Sequence, residues 1–273
     1  MTGLLRSEIR RLASRRLLFW LLLASLALCS FVIVIVAIQS DPESFNSRDA
    51  MRVTSLWLTK SAAANLGVQR DQVISTISVL TYLLVIVIGA SAVGADYRAG
   101  TVGTILTWEP RRGRLLIARF IATALVSMAF FLLVHLVFIG GWTLASDLFG
   151  RSGGADTTFW GDLAAVIGRA TLLAGVLAVI SASIATVGKN TAAAMGIWFG
   201  YLIAIEAIVR NQLKDIIPWF ITANAGAFYS WQTVTQSDPG YDVSAVAGTL
   251  RLALYLVLFC GGAILVFRRR DVT

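Results

Sequence analysis

From Leu17 to Ile38 the chain runs 22 residues without a charged side chain, and nothing else in the sequence restricts its fold as strongly. As a helix this run extends about 33 Å, enough to cross a hydrocarbon core of about 30 Å. Lipid offers no partner for backbone N–H and C=O groups, so a spanning segment must bond within itself as a helix or close into a barrel. The run shows no alternation of apolar and polar residues, which selects the helix. It is also too long for a signal-peptide core and ends without a small-residue cleavage site. Comparable runs recur at 73–95, 115–140, 163–187, 191–209 and 249–267. The expected fold class is therefore all-α integral membrane, with six transmembrane helices and 1–273 as a single domain.

Composition agrees with this reading: 57% of residues are hydrophobic, 14% are charged and the mean hydropathy is +0.77, which excludes an ordinary soluble domain. No connection between spans is long enough to fold independently. The net charge of +8 does not point to nucleic acid, because the basic residues gather at span ends. With six spans, both tails lie on one side. That side collects the tails, the loop between spans two and three together with Arg119, and Lys189, with a net charge of +10, against −1 on the other side. The excess of Arg and Lys in short loops places both termini in the cytoplasm.

Three connecting segments carry most of the remaining information. Residues 1–16 place Leu4, Leu5, Ile9 and Leu12 on one helical face among five arginines, and read either as an interfacial amphipathic helix or as a basic flank that only sets topology. Asp96–Arg114 is polar and basic, with a short uncharged helix over Gly100–Thr107 that Pro110 terminates. Held at the membrane surface, that helix has the form of a handle for another protein. Between spans five and six, Ile216–Trp231 is apolar but broken by Pro218 and Gly226, which suits a re-entrant or interfacial helical pair. Elsewhere, Val53–Leu58 is expected to form an interfacial helix with Trp57 at headgroup depth, and 141–162 to form a loop.

Enzymatic chemistry finds no motif. There is no phosphate loop, dinucleotide fingerprint, H-E-x-x-H or metal-spaced cysteine pair, so no catalytic residue, metal site or cofactor is assigned to this chain. Cys29 and Cys260 both fall within spans, and neither a disulfide nor a zinc site is expected. Two ionisable residues inside spans are candidates for a polar translocation path. Glu206 precedes Arg210 by four residues, the favourable order for a local ion pair, and that pairing is preferred to a transport role. His135, the one histidine, is read as a neutral imidazole bonded to a neighbouring helix in preference to a proton relay. Small residues repeat every four positions as Ala170, Ala174, Ala178 and Ala182 in the fourth span and as Ala192, Gly196, Gly200 and Ala204 in the fifth. Both stripes are read as helix-packing faces within the chain.

The loop Asp96-Tyr97-Arg98-Ala99-Gly100-Thr101 running to Thr107-Trp108-Glu109-Pro110-Arg111-Arg112-Gly113-Arg114, the basic N-terminal helix, the six spans and the ending Phe267-Arg268-Arg269-Arg270-Asp271 together resemble an ABC-2 type ABC transporter permease. In the loop the usual family glutamate is Asp96 here. The resemblance implies that Gly100–Thr107 is a coupling helix that docks on a separate ATP-binding subunit. Gly100, Thr101, Thr104 and Ile105 would form its docking surface, braced by Asp96, Arg98, Glu109 and Arg111. It further implies two ATP-binding subunits carrying ATP and Mg, a second permease subunit, identical or not, and a bacterial cell membrane as the setting. Spans one, two and five would line the path, with Ile216–Trp231 as the re-entrant outer gate. Export of a hydrophobic or amphipathic cargo, such as a drug, antibiotic, lipid or lipopeptide, is the expected function. A proton-coupled secondary transporter using Glu206 and His135, or a non-transporting sensor or immunity subunit, are the alternatives.

Overall fold

A computed structural model describes residues 2–39, 57–58, 72–109, 111–149, 151–152, 157–209, 213–237 and 240–269. The described helices are α1 (Thr2–Ala13), α2 (Arg16–Gln39), α3 (Gln72–Arg98), α4 (Thr101–Trp108), α5 (Arg112–Phe149), α6 (Thr157–Gly188), α7 (Thr191–Phe199), α8 (Ile221–Ser230) and α9 (Ala245–Arg269). α7 continues as a π-helix through Gly200–Val209, and a 3-10 turn at Lys214–Trp219 precedes α8. Five helices, α2, α3, α5, α6 and α9, are long and apolar enough to cross a membrane, so this is a multi-pass α-helical membrane protein. The run expected at 191–209 contains a shorter apolar helix, Thr191–Glu206.

Burial sorts the helices into a centre and a rim. In the most apolar stretches of α3 and α6, 67% and 61% of residues are buried, against 11% in α2 and 17% in α9. The centre is close-packed because small residues let backbones meet, which is how helices associate where lipid is as apolar as leucine. A Cβ on Gly89 of α3 would stand 2.2 Å from the Ala178 carbonyl oxygen of α6. One turn along, Ser181 Oγ donates to the Ile86 carbonyl at 2.7 Å. The expected stripe Ala170, Ala174, Ala178 and Ala182 is buried in this region.

The contacts also establish which ends lie together. Arg15, just after α1, donates to the Ser91 carbonyl near the end of α3; Gly94 abuts Thr191 at the start of α7, and Gly113 faces Arg268 near the end of α9. One end of the bundle thus gathers α1, α4, the α6–α7 turn and the basic end of α9. The turn itself is made by Lys189, with φ of 54°, and by Asn190, whose side chain accepts from the Ala192 N–H at 2.8 Å.

Several expectations need correction. The segment read as a loop at 141–162 is mostly helical: α5 runs on to Phe149 and α6 begins at Thr157. Hydropathy ends where charge begins, but the α5 extension is held by packing, with Trp142, Ala145 and Ser146 buried. Trp57–Leu58, expected in an interfacial helix, instead pairs as a short parallel strand with Arg151–Ser152; 53–56 lie outside the described residues. A hairpin of two strands, Val234–Ser237 and Gly240–Val243, follows α8. Its Val234 and Val243 cover Ile217, Phe220, Ala223 and Ala227 in a small separate core. On α7, Ala192, Gly196, Gly200 and Ala204 face outward and are exposed, and a Cβ on Gly196 or Gly200 would meet no atom within 4 Å. Among the described residues this stripe is left on the outside at Gly196 and Gly200, while Ala194 and Trp198 on the opposite face fill the contact with the centre.

The α3–α6 contact makes a direct test. Gly89→Ala must move backbone and is expected to cost about 1–3 kcal/mol, whereas Gly261→Ala, with open space at that site, should leave stability unchanged. Thermal denaturation of both variants in the same detergent checks this.

Candidate functional site

At the end of the bundle that holds α1, three elements converge on Asp96. The apolar face of α1 carries Leu5, Ile9 and Leu12 and, among them, Glu8; Leu12 and Glu8 are buried. A carboxylate on that face is tolerable only with partners. Arg11 Nη2 donates to Glu8 Oε2 at 2.6 Å, and Arg11 Nη1 bonds to Asp96 Oδ2. Arg15 Nη2 reaches Asp96 Oδ1 at 3.0 Å, while its Nη1 takes the Ser91 carbonyl at 2.5 Å. From α5, Arg119 Nη2 lies 3.0 Å from Asp96 Oδ2 and Arg119 Nε 3.6 Å from Glu8 Oε1. Neither Arg119 nitrogen is aligned on an acceptor, so Arg119 acts there as a charge more than as a hydrogen-bond donor.

Three guanidinium groups thus share two carboxylates in a joint where Asp96 and Glu8 are 6% and 5% exposed and Arg119 is 2% exposed. Burial works against both Arg11 and Arg15. For Arg11 the Asp96 bond and the nearby carboxylate charges outweigh it and the pKa is raised; for Arg15 burial prevails and the pKa is lowered. Removing one member of such a cluster strands the others in low dielectric.

The joint leads directly into α4. After Asp96 the chain reverses at Gly100, whose φ of 66° is the left-handed conformation that glycine adopts without strain. Thr101 Oγ1 donates to the Asp96 carbonyl at 3.3 Å, which ties the first residue of α4 to the joint. Val102 is buried, and Val102 and Leu106 pack with Val93, Leu116, Phe120 and Phe267. The other face shows Gly100, Thr101, Gly103, Thr104 and Thr107 to the exterior, with Ile105 and Glu109 half-buried and Arg98 and Arg111 exposed. Glu109 caps the helix through its N–H to the Ile105 carbonyl at 3.1 Å. Pro110 lies outside the described residues. Asp96, expected to brace the outer face of α4, is turned inward to the joint.

Around α8, at the opposite end, the intramembrane charges find their partners. Glu206 accepts from the Thr222 N–H at 3.2 Å and from the Thr222 hydroxyl. The Tyr201 hydroxyl accepts from the Ile221 N–H at 2.8 Å. Glu206 is therefore bonded to the start of α8; Arg210, the partner suggested by helical spacing, lies outside the described residues. At the other end of α8, Arg169 Nε donates to the Tyr229 carbonyl at 3.0 Å, and its guanidinium stands 5.9 Å from the Trp231 ring. Sequence reasoning missed Arg169 and the joint members Glu8, Arg11, Arg15 and Arg119. The available signals were a carboxylate on an apolar helical face and arginines several residues inside apolar runs.

His135 is buried, with Nδ1 at 2.9 Å from the Phe131 carbonyl and Nε2 at 3.0 Å from Ser78 Oγ. A carbonyl only accepts, so the Nδ1 proton goes to Phe131 and Nε2 takes the Ser78 proton. The ring stacks on Phe131 at a centroid distance of 3.9 Å. No group of three or more metal-ligating residues occurs among the described residues.

The joint supports a stability prediction. Asp96→Asn should cost about 3–5 kcal/mol, the range for breaking a buried ion pair, and release α1. Limited trypsin digestion, followed by the rate of cleavage after Arg10 or Arg11, reads that release.

A family model described as "Protein of unknown function (DUF2705)" matches residues 53–273. The match spans most of the sequence, and the chain belongs to that family. No curated protein matches it.

Proposed function

We propose that this DUF2705 chain is the membrane-spanning subunit of an ATP-driven exporter of the ABC-2 type, working with a separate ATP-binding subunit. The observation that carries the reading is α4. It is a short helix plugged into the bundle through Val102 and Leu106, with an outer face of small side chains where a Cβ added at Gly100 or Gly103 would meet no described atom within 4 Å. Such a face suits insertion into a groove of another protein. It leans on the Asp96 joint, so a push on α4 reaches α1, α3 and α5 together.

On this reading α7 with its π-helical continuation makes the sixth crossing. The bundle end that holds α1, α4 and Arg268 is cytoplasmic, as its excess of arginine favours. ATP and Mg belong to the partner, two copies of which would engage two permease subunits. The exposed small-residue face of α7 offers itself to the second permease, and the apolar helices suit a hydrophobic or amphipathic cargo. The proton-coupled alternative draws little support from His135 and Glu206, because both ring nitrogens of one and both oxygens of the other are engaged in hydrogen bonds.

The test is co-expression of the chain with the ATP-binding subunit and purification in mild detergent. Gly103→Arg combined with Thr104→Arg adds bulk and charge to exposed positions, so the variant should keep the wild-type melting temperature. It should lose the co-purifying ATPase and ATP turnover that depends on the permease. If the variant retains the ATPase, or if wild type never brings one down, α4 is not a docking helix and the proposal fails.

A further inference from the structure

The ten-residue helix α8 is held at both ends by charges opposite in sign to its own partial charges. Its N-terminus, where unpaired N–H groups carry partial positive charge, meets the Glu206 carboxylate. Its last turn, where carbonyls carry partial negative charge, meets the Arg169 guanidinium. The residue preceding α8, Phe220, supplies no side-chain cap, so its first N–H groups depend on Tyr201 and Glu206 from another helix.

The two anchors differ in stiffness. Arg169 projects from α6, an uninterrupted α-helix in the packed centre. Tyr201 and Glu206 project from the π-helical stretch Gly200–Val209, which exposes Ile203, Ala204, Ile205 and Ile208. The π register is what brings them together. In a π-helix the N–H bonds to the carbonyl five residues back, so residues five apart, such as Tyr201 and Glu206, stack on one face. In an α-helix the same two side chains would point about 140° apart.

We propose that α8 is a hinged flap, latched at its N-terminus by Tyr201 and Glu206 and pivoting about Arg169 at its C-terminus, and that reversion of the π stretch to α-helical register releases the latch. The proposal does not depend on the exporter reading, since it concerns only how α8 is held. Glu206 and Tyr201 are positioning residues for α8, and the flap frees its first turn while its last turn stays in place.

Hydrogen–deuterium exchange of the full chain in lipid nanodiscs, read in overlapping peptides across 218–232, tests it. In Glu206→Ala, exchange at the amides of Ile221–Asn224 should rise about tenfold or more, the effect of losing hydrogen bonds to a charged group. Amides at 228–231 and in α3 should stay at wild-type rates. In Arg169→Gln the last turn should exchange faster instead. Equal acceleration of both halves of α8 in Glu206→Ala would overturn the hinge, and no acceleration would overturn the latch. Should Glu206→Ala not fold, Tyr201→Phe provides the same comparison, because it removes only the acceptor of the Ile221 N–H. Faster exchange confined to the first turn supports the proposal, and any other pattern rejects it.

Discussion

Inside a bilayer no water is at hand to satisfy a charge or a helix end, and the arrangement of this protein follows from that constraint. Each ionisable side chain placed within the bundle must find a partner from another element. Asp96 and Glu8 find three arginines drawn from α1, its junction with α2, and α5. Glu206 finds the first N–H groups of α8, and Arg169 the carbonyls of its last turn. Such pairs add less net stability than their Coulomb energy suggests, because desolvation offsets most of it. They do fix which helix lies against which, since any other arrangement leaves a charge bare.

The two polar assemblies have different mechanical characters. Around Asp96 the partners come from elements with close apolar support: Leu12 on α1 packs with Ala92, Ala122 and Val126, and Phe120 fills the space beneath α4. Around α8 one anchor is rigid and the other lies on a π-helix whose exposed faces have no packing of their own. A force applied at the α4 end reaches α7 directly, because Gly94 of α3 abuts Thr191 in the first turn of α7. The π-helical continuation of α7 carries Glu206, so α3 and α7 together join the Asp96 cluster to the start of α8.

Much of this was legible in the sequence. The apolar runs located the long helices, since hydropathy depends on local composition. The handle was legible for the same reason, with a glycine for the reversal at Gly100 and a proline after Glu109. The joint was not legible, because Glu8, Asp96 and Arg119 are distant in sequence and each alone reads as a topology charge. Arg169 was hidden in the same way, counted with the outer loops although it lies inside an apolar run. The bonds of Glu206 to Thr222 were not legible for a subtler reason. Spacing arguments assume 3.6 residues per turn, and a π-helix places different side chains together. The helices beyond 140 and before 163 were missed because packing by Trp142 and Phe159, and not hydropathy, sustains them.

The central claim is that α4 is a docking helix for an ATP-binding partner, held against the bundle by the Asp96 joint. In-cell photo-crosslinking tests it most directly, with a photoreactive residue placed at exposed Thr104 and, for comparison, at exposed Leu148 near the opposite end of α5. The account predicts an adduct from position 104 that mass spectrometry identifies as a protein with an ATP-binding phosphate loop, and none from position 148. No such adduct from position 104, or equal adducts from both, would contradict it.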